Sequence, residues 1–414
     1  MGGLARYRAI VRRPGFVAVL GTSVVGRLHE SMISFGVIML VTHKGSYAQA
    51  GVVMAAYGVG GIVAGPVNSR LADRHGHVRV LLITAAAYAA SVLVMGAVVA
   101  DLVALGLVAL LAGLCTPPLT PAVRSVLPRL VPTEHRLTAF ALESTLQEVI
   151  FVAGPVLAGG VALLAGPRSA LAAAAATTVL GVGSYCLALP PRERRRARPV
   201  PDLSVTQRAD ALLSATLLRL LGGGVGFLLL LSIATVAVIA QVSGAQARGE
   251  AGVFLALTSA GSMLGGLVFG ARVRPDSPLR SRYLVLGSAL IALAWVAGTI
   301  GGNGGRGALL LAAAMFVFGA TIAPVGAVLF GRLSEEAGEA RATEAFGWMG
   351  AAMGIGGVLG DASGGWLVTT LPPWAVLAVA GGIACATAAV VPGRTCTGTE
   401  SADRVGNGAS QVLR

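Results

Sequence analysis

Long apolar runs separated by short polar breaks set the pattern of this chain. Runs long enough to cross a bilayer, about 20 residues each, occupy 14–41, 47–69, 78–100, 102–127, 137–165 and 168–189. A second group follows at 211–241, 250–271, 283–302, 307–331, 343–368 and 373–392. The pattern predicts an all-α integral membrane protein with twelve transmembrane helices in two pseudo-symmetric six-helix bundles. Residues 1–189 form the N-terminal bundle, 190–210 a polar, basic linker, 211–393 the C-terminal bundle, and 394–414 a polar tail expected to be disordered.

The two groups of six are also copies of each other. Gly60, Gly61 and Gly65 recur as Gly265, Gly266 and Gly270, and Glu134-x-Arg136-x-Thr138 recurs as Glu339-x-Arg341-x-Thr343. Gly159-Gly160 returns as Gly364-Gly365, and Gly113-x4-Pro118 as Gly319-x4-Pro324. Low-complexity Gly/Ala sequence can supply one or two such matches, but the polar triplet is of another kind. Duplicated helical membrane units suit a secondary transporter, in which two similar halves rock about a site between them.

Composition agrees with the pattern. Only 12% of the residues are charged and 55% are hydrophobic, whereas a soluble domain carries roughly 25% charged residues. A net charge of +13 invites a nucleic-acid reading, and the distribution of the charge rejects it. Most of the basic residues fall in the N-terminal arm, one alternating set of loops, the central linker and the tail; the opposite loops hold Lys44, Arg168, Arg248 and Arg306. Loops retaining Lys and Arg stay in the cytoplasm, so both termini are expected inside. The near-exclusive use of Arg over Lys with heavy Ala, Gly and Val suggests a high-GC bacterium, and hence the inner (plasma) membrane. The basic arm before the first run resembles a signal peptide, but Arg27, His29 and Glu30 interrupt that run, so it reads as the first span. Cys115, Cys186, Cys385 and Cys396 imply no disulfide framework. No Gly-x4-Gly-Lys-Ser/Thr loop, metal-ligating cluster, cofactor loop or nucleophile–base set is visible, so neither ATP-driven transport nor an enzyme is expected.

The break between the second and third spans reads Ser69-Arg-Leu-Ala-Asp73-Arg74-His75-Gly76-His77-Val78-Arg79. It resembles the signature loop of the major facilitator superfamily, Gly-x-x-x-Asp-Arg-x-Gly-Arg-Arg. Asp73, Arg74 and Gly76 match position for position; Ser69 replaces the first Gly, and Arg79 falls one place late. With the twelve spans and duplicated halves, the resemblance covers nearly the whole chain. It implies the major facilitator fold, alternating access, and a latch at Asp73, Arg74, Gly76 and Arg79 that holds the cytoplasmic side closed. The residues support that role physically: a carboxylate at a tight turn can accept hydrogen bonds from a facing helix N-terminus, whose dipole favours anions. A solvated basic turn of purely topological value is the alternative. In the fifth span, Gly154-Pro155 with Gly159-Gly160 is similar to the Gly-Pro-rich motif of the superfamily's antiporters, although the upstream glycines are missing. Such a stripe suits a seam between moving halves, and ordinary helix packing explains it equally.

Ionisable groups inside spans are costly, on the order of 3 kcal/mol each at a helix centre, and are seldom idle. Arg27 and Glu30 lie three apart in the first span, either neutralising each other or facing the cavity as substrate or proton contacts. In the fifth span, Glu148 shares a stripe with Pro155 and Gly159, while Glu143 and Gln147 lie on a different stripe, Glu143 about 140° and Gln147 about 100° away. Glu143 is expected nearer the cytoplasmic end, reaching water or Arg136. Burial favours the neutral form of a carboxylate, so Glu148, with Glu30, is the candidate for proton coupling; a fixed ion pair between Glu148 and Arg27 is the alternative. Arg27, Glu143, Gln147 and Asp361 are the candidate cavity residues, Asp361 also serving as a possible helix cap. Few other polar groups lie in the spans, which favours an amphipathic substrate over a sugar. The expected function is proton-coupled efflux of a small drug-like compound or metabolite by a monomer in the lipid bilayer, without cofactor, metal or nucleic acid. A proton-coupled uptake symporter and a non-transporting scaffold or sensor are the alternatives.

Overall fold

A computed structural model describes residues 3–42, 46–194, 214–243, 250–272, 277–300, 304–339 and 341–392. Beyond a short N-terminal helix, Gly3–Val11, the membrane helices follow the predicted order. Span 1 is Phe16–Arg27 continued by His29–Thr42, span 2 Tyr47–His75 and span 3 His77–Ala97. Span 4 is Leu102–Leu114 continued by Leu119–Leu130, span 5 Arg136–Ala165 and span 6 Pro167–Ala188. The second half contains span 7 (Ala215–Ser243), span 8 (Glu250–Arg272) and span 9 (Leu279–Ile300). Span 10 is Gly304–Gly319 continued by Ile322–Ala337, and spans 11 and 12 are Ala342–Thr370 and Pro373–Val390. The linker beyond Arg194 and the tail beyond residue 392 lie outside the described residues.

Eleven of these helices are long and apolar enough to cross a membrane. Ala342–Thr370 falls short because glycine dilutes its hydropathy, yet it is 29 residues long and packs along spans 7 and 2 like its neighbours. Its glycines serve that packing. At Gly356 and Gly360 an added Cβ would run into the backbone of Val225 and Leu229 in span 7, so the two helices approach closely because nothing stands between them.

The repeat read from the sequence corresponds to repeated contacts. Gly60 and Gly113 bring spans 2 and 4 together, backbone against backbone; Gly265 and Gly319 do the same for spans 8 and 10. Spans 4 and 10 break at equivalent places, after Leu114 and after Gly319. In span 4 the break coincides with Pro117 and Pro118, which carry no N–H to continue the ladder. Each half is held by apolar clusters: Tyr88, Val92, Met95 and Leu105 in the first, Tyr283, Leu286, Leu290 and Leu377 in the second.

Capping fixes the helix ends at one surface of the bundle. Ser46 and Gln49 form a reciprocal capping box at span 2, and Asp101 accepts from Val103 N and Ala104 N at span 4. The other surface carries the N-terminal helix and the turns between spans 2–3, 4–5, 8–9 and 10–11. It is called the basic face below, and its counterpart the opposite face.

Candidate transport site

The two halves meet along several helix pairs at the basic face, of which spans 2 and 11 and spans 5 and 8 form the longest seams. On one, Gly65 of span 2 lies against Gly347 of span 11, and Gly347 in turn lies against Ser69. Asp73 ends this seam: its Oδ2 accepts a hydrogen bond from the backbone N–H of Glu344, 2.8 Å away in the first turn of span 11. An anion aimed at a helix N-terminus meets unpaired N–H groups and the positive end of the dipole. His77 Nε2 stands 3.5 Å from Asp73 Oδ1 and 2.9 Å from Thr343 Oγ1, and Thr343 donates to Ser125 Oγ at 3.0 Å. Gly76 makes the turn possible with φ of 90°, a conformation that L side chains rarely adopt.

The second seam joins spans 5 and 8. Thr138 Oγ1 donates to Gly270 O at 2.9 Å, and Gly266 faces Thr145 and Ala141. At its upper end Ser262 Oγ donates to Glu148 Oε1 at 2.9 Å, and Ser259 supplies a second hydroxyl to the same carboxylate. The N-terminal helix reinforces this seam from below, where Tyr7 Oη donates to Leu267 O at 2.8 Å. Burial pushes the Tyr7 phenol up to about 12, so it remains a donor at physiological pH. The Gly65 stripe of span 2 continues toward the opposite face through Gly58 and Gly51, where no described residue lies within 4 Å of an added Cβ; the same holds for Gly365 of span 11. Among the described residues, the halves are therefore joined at the basic face and parted beyond the level of Glu148.

Beneath that opening, spans 1, 4 and 5 bring together a charge network. Glu143 Oε1 accepts from Arg27 Nη1 at 3.0 Å and from Arg124 Nε at 3.2 Å. The Glu143 side chain is 0% exposed and that of Arg27 1%. Glu30 lies at the edge, 30% exposed, with Oε1 accepting from Thr120 Oγ1 at 2.7 Å and standing 3.9 Å from Arg27 Nε. Gln147 Nε2 reaches Glu30 Oε2 at 3.5 Å, the long limit of a hydrogen bond. The network touches the other half through Arg124, whose guanidinium carbon sits 3.7 Å from the centroid of Phe330 in span 10. Phe330 and Phe140 each pack on Phe346 of span 11, closing an aromatic layer across both halves on the side of the basic face.

Several expectations change here. Arg27 is held most closely by Glu143, at 3.0 Å, because span 5 places Glu143 opposite it; Glu30 keeps a longer ion pair at 3.9 Å, and Glu148 faces Ser262 instead. Glu143 is not at a watery end beside Arg136 but wholly enclosed, so it braces the site instead of lining an open cavity. Arg74 and Arg79 are exposed, and among the described residues no hydrogen bond or ion pair is seen for either, so the contacts across the first seam belong to Asp73, His77 and Thr343. Gly154 lies against Ser31 and Gly159 against Phe35, both in span 1, which makes this stripe a packing surface within one half. Gly160 has open space, and Pro155 is half-buried. Asp361 is exposed on the stripe of span 11 that carries Gly347 and Gly354, and it does not cap the helix, which runs on to Thr370. Sequence reasoning missed Arg124, Thr120, Ser262 and Phe330. Arg124 had one readable signal, since the apolar run at 102–127 contains it.

Replacing Asp73 with Asn keeps an acceptor for Glu344 N–H but removes the charge. The expected cost is about 1 kcal/mol, the difference between a charged and a neutral hydrogen bond, which shifts the population several-fold toward the arrangement parted at the basic face. Distances between spin labels at Arg70 and Glu335 would lengthen in a larger fraction of molecules; an unchanged distribution would show that Asp73 does not hold this seam.

Two homologous six-span halves, joined at one face and parted at the other, define the class of secondary transporters. The chain belongs to the Major Facilitator Superfamily, whose sequence model matches residues 16–360. It is 28% identical over 181 residues to an uncharacterized MFS-type transporter, y4rN, of Sinorhizobium fredii, a stretch covering 41% of this chain and 43% of that relative. Among solved structures it is similar to a bacterial homologue of the iron transporter ferroportin in an outward-facing state (14% identity, TM-score 0.73, 90% of this chain and 97% of that one). It is also similar to the human organic anion transporter MFSD10 (16%, TM-score 0.67, 94% and 99%) and the E. coli fucose:proton symporter (14%, TM-score 0.66, 90% and 97%). At these identities the structural likeness speaks to the fold alone.

Proposed function

We propose that this transporter exports a small amphipathic compound in exchange for protons, with its basic face in the cytoplasm and both termini inside. It works as a monomer in the plasma membrane, and its two halves are the bundles 1–189 and 211–393. The observation that carries the coupling is the Glu148–Ser262 hydrogen bond. It places a titratable carboxylate on the contact between moving halves, so that loading or releasing a proton there changes a bond on which the closed seam depends. Glu30 adds a second exchange point. The network of Arg27, Arg124, Glu30 and Glu143 is electrically balanced while Glu30 is ionised, and Glu30 is its open edge. A proton and a cationic group of the substrate are natural competitors for that carboxylate. The aromatic layer of Phe140, Phe330 and Phe346 gives the floor an apolar character suited to the other part of an amphipathic molecule.

The test is accumulation of a fluorescent amphipathic cation in efflux-deficient cells. Cells producing the protein should hold less dye than controls, and a protonophore should erase the difference. Equal dye in both, across a panel of such cations, would overturn the export reading for this substrate class.

A further inference from the structure

A crevice of about 820 Å³ opens between spans 8, 9 and 10 at the basic face, away from the seams and the charge network. Its rim at the basic face carries two guanidiniums, Arg272 in the last turn of span 8 and Arg282 in the first turn of span 9, with Ser277 between them in sequence. Arg282 stacks on Phe269, its guanidinium carbon 4.8 Å from the ring centroid, while its Nε is buried and donates to no acceptor among the described residues. No ion pair is seen for either arginine among the described residues. Toward mid-membrane the wall becomes apolar, with Phe269, Val268 and Leu264. Leu264 is 49% and Val268 43% exposed, so the crevice opens sideways onto the surface that meets lipid chains.

We propose that this crevice binds an anionic phospholipid of the leaflet at the basic face. The phosphate would sit between Arg272 and Arg282, whose planar donor forks match phosphate oxygens, and an acyl chain would lie along Val268 and Leu264. The order of the groups selects this occupant. Cations stand at the membrane surface and hydrocarbon wall follows for two turns of helix toward the centre, which is the polarity of a phospholipid in that leaflet. A soluble anion would satisfy the arginines and leave the apolar wall without a purpose. The inference is independent of the direction of transport and of its coupling.

The full-length protein reconstituted in nanodiscs, released into native mass spectrometry, tests it. Phosphatidylglycerol should be retained over phosphatidylcholine by about thirtyfold, as expected for two surface cations. The preference should disappear in the Arg272→Gln/Arg282→Gln double variant and persist in Arg13→Gln, which removes an exposed charge elsewhere on the same face. Val268→Trp, which fills the crevice but keeps both arginines, should also abolish retention and carries the test if the double variant does not fold. The proposal fails if the double variant and Val268→Trp retain the lipid, or if Arg13→Gln lowers retention equally. It also fails if glycerol phosphate, without acyl chains, displaces the lipid at equal concentration, since the site would then be one for soluble anions.

Discussion

Substituting Glu143 with Ala should destabilise the protein by about 3–5 kcal/mol, the cost of leaving buried charges without their partner. Two guanidiniums depend on this one carboxylate oxygen, at 3.0 and 3.2 Å, in a position closed to water. Neither arginine can turn to solvent: the Arg27 side chain is 1% exposed, and Arg124 is pinned over Phe330. Unfolding in detergent followed by tryptophan fluorescence or a thermal size-exclusion assay would show a large fall in midpoint. Glu143→Gln should lie between Ala and the parent chain, because the amide oxygen still accepts one of the two hydrogen bonds. Glu30→Gln offers the contrast. Its side chain is 30% exposed and its nearest guanidinium atom is 3.9 Å away, so the change in stability should stay below about 1 kcal/mol. Equal effects at Glu143 and Glu30 would show that burial does not separate their roles. If the Glu143 cost arises from unpaired charge, replacing Arg27 and Glu143 together with Met should recover part of the loss.

Some of this arrangement was legible in the chain and some was not, and the division follows from the range of the interactions. Twelve apolar runs and the repeated glycines were readable because span length and close helix approach are local demands: Gly60 and Gly265 are each set by one neighbouring helix. The stripe count in span 5 was readable only in part, since Gly159, counted on the stripe of Glu148, faces Phe35 of span 1 rather than the other half. Glu143 and Glu148 do face different partners, one the arginines of its own half and the other Ser262 of the opposite half. The partner of Arg27 was not readable. Spacing offered Glu30, three residues on, but a span that crosses from elsewhere in the chain supplies a shorter bond at Glu143, and periodicity says nothing about which helix lies opposite. Arg124 was hidden for a related reason. A basic residue near the end of an apolar run satisfies the positive-inside rule equally well as a surface charge or as a buried partner, and only the packing of span 4 against spans 1, 5 and 10 decides between them. The Gly-Pro stripe shows the limit of motif reading: Gly154 and Gly159 are small because span 1 lies against them, not because a moving seam does.

Changing Glu148 to Gln should bring proton-driven transport down to the level of vesicles without the protein while leaving the fold intact. Gln matches Glu in volume and keeps an oxygen that can accept from Ser262, so the seam between spans 5 and 8 keeps its hydrogen bond and stability should change by less than about 1 kcal/mol. What it loses is the ability to load and release a proton at the point where the halves touch. Reconstituted protein separates the two functions. With a pH-reporting dye inside liposomes, adding an amphipathic cation should move protons in the parent protein and not in Glu148→Gln, whereas exchange of labelled for unlabelled substrate, which needs no proton, should persist in both. Loss of exchange as well would mean that Glu148 supports the path of the substrate rather than its coupling. Retention of proton movement would shift the coupling to Glu30, the open edge of the charge network, and Glu30→Gln would then be the variant that silences the dye.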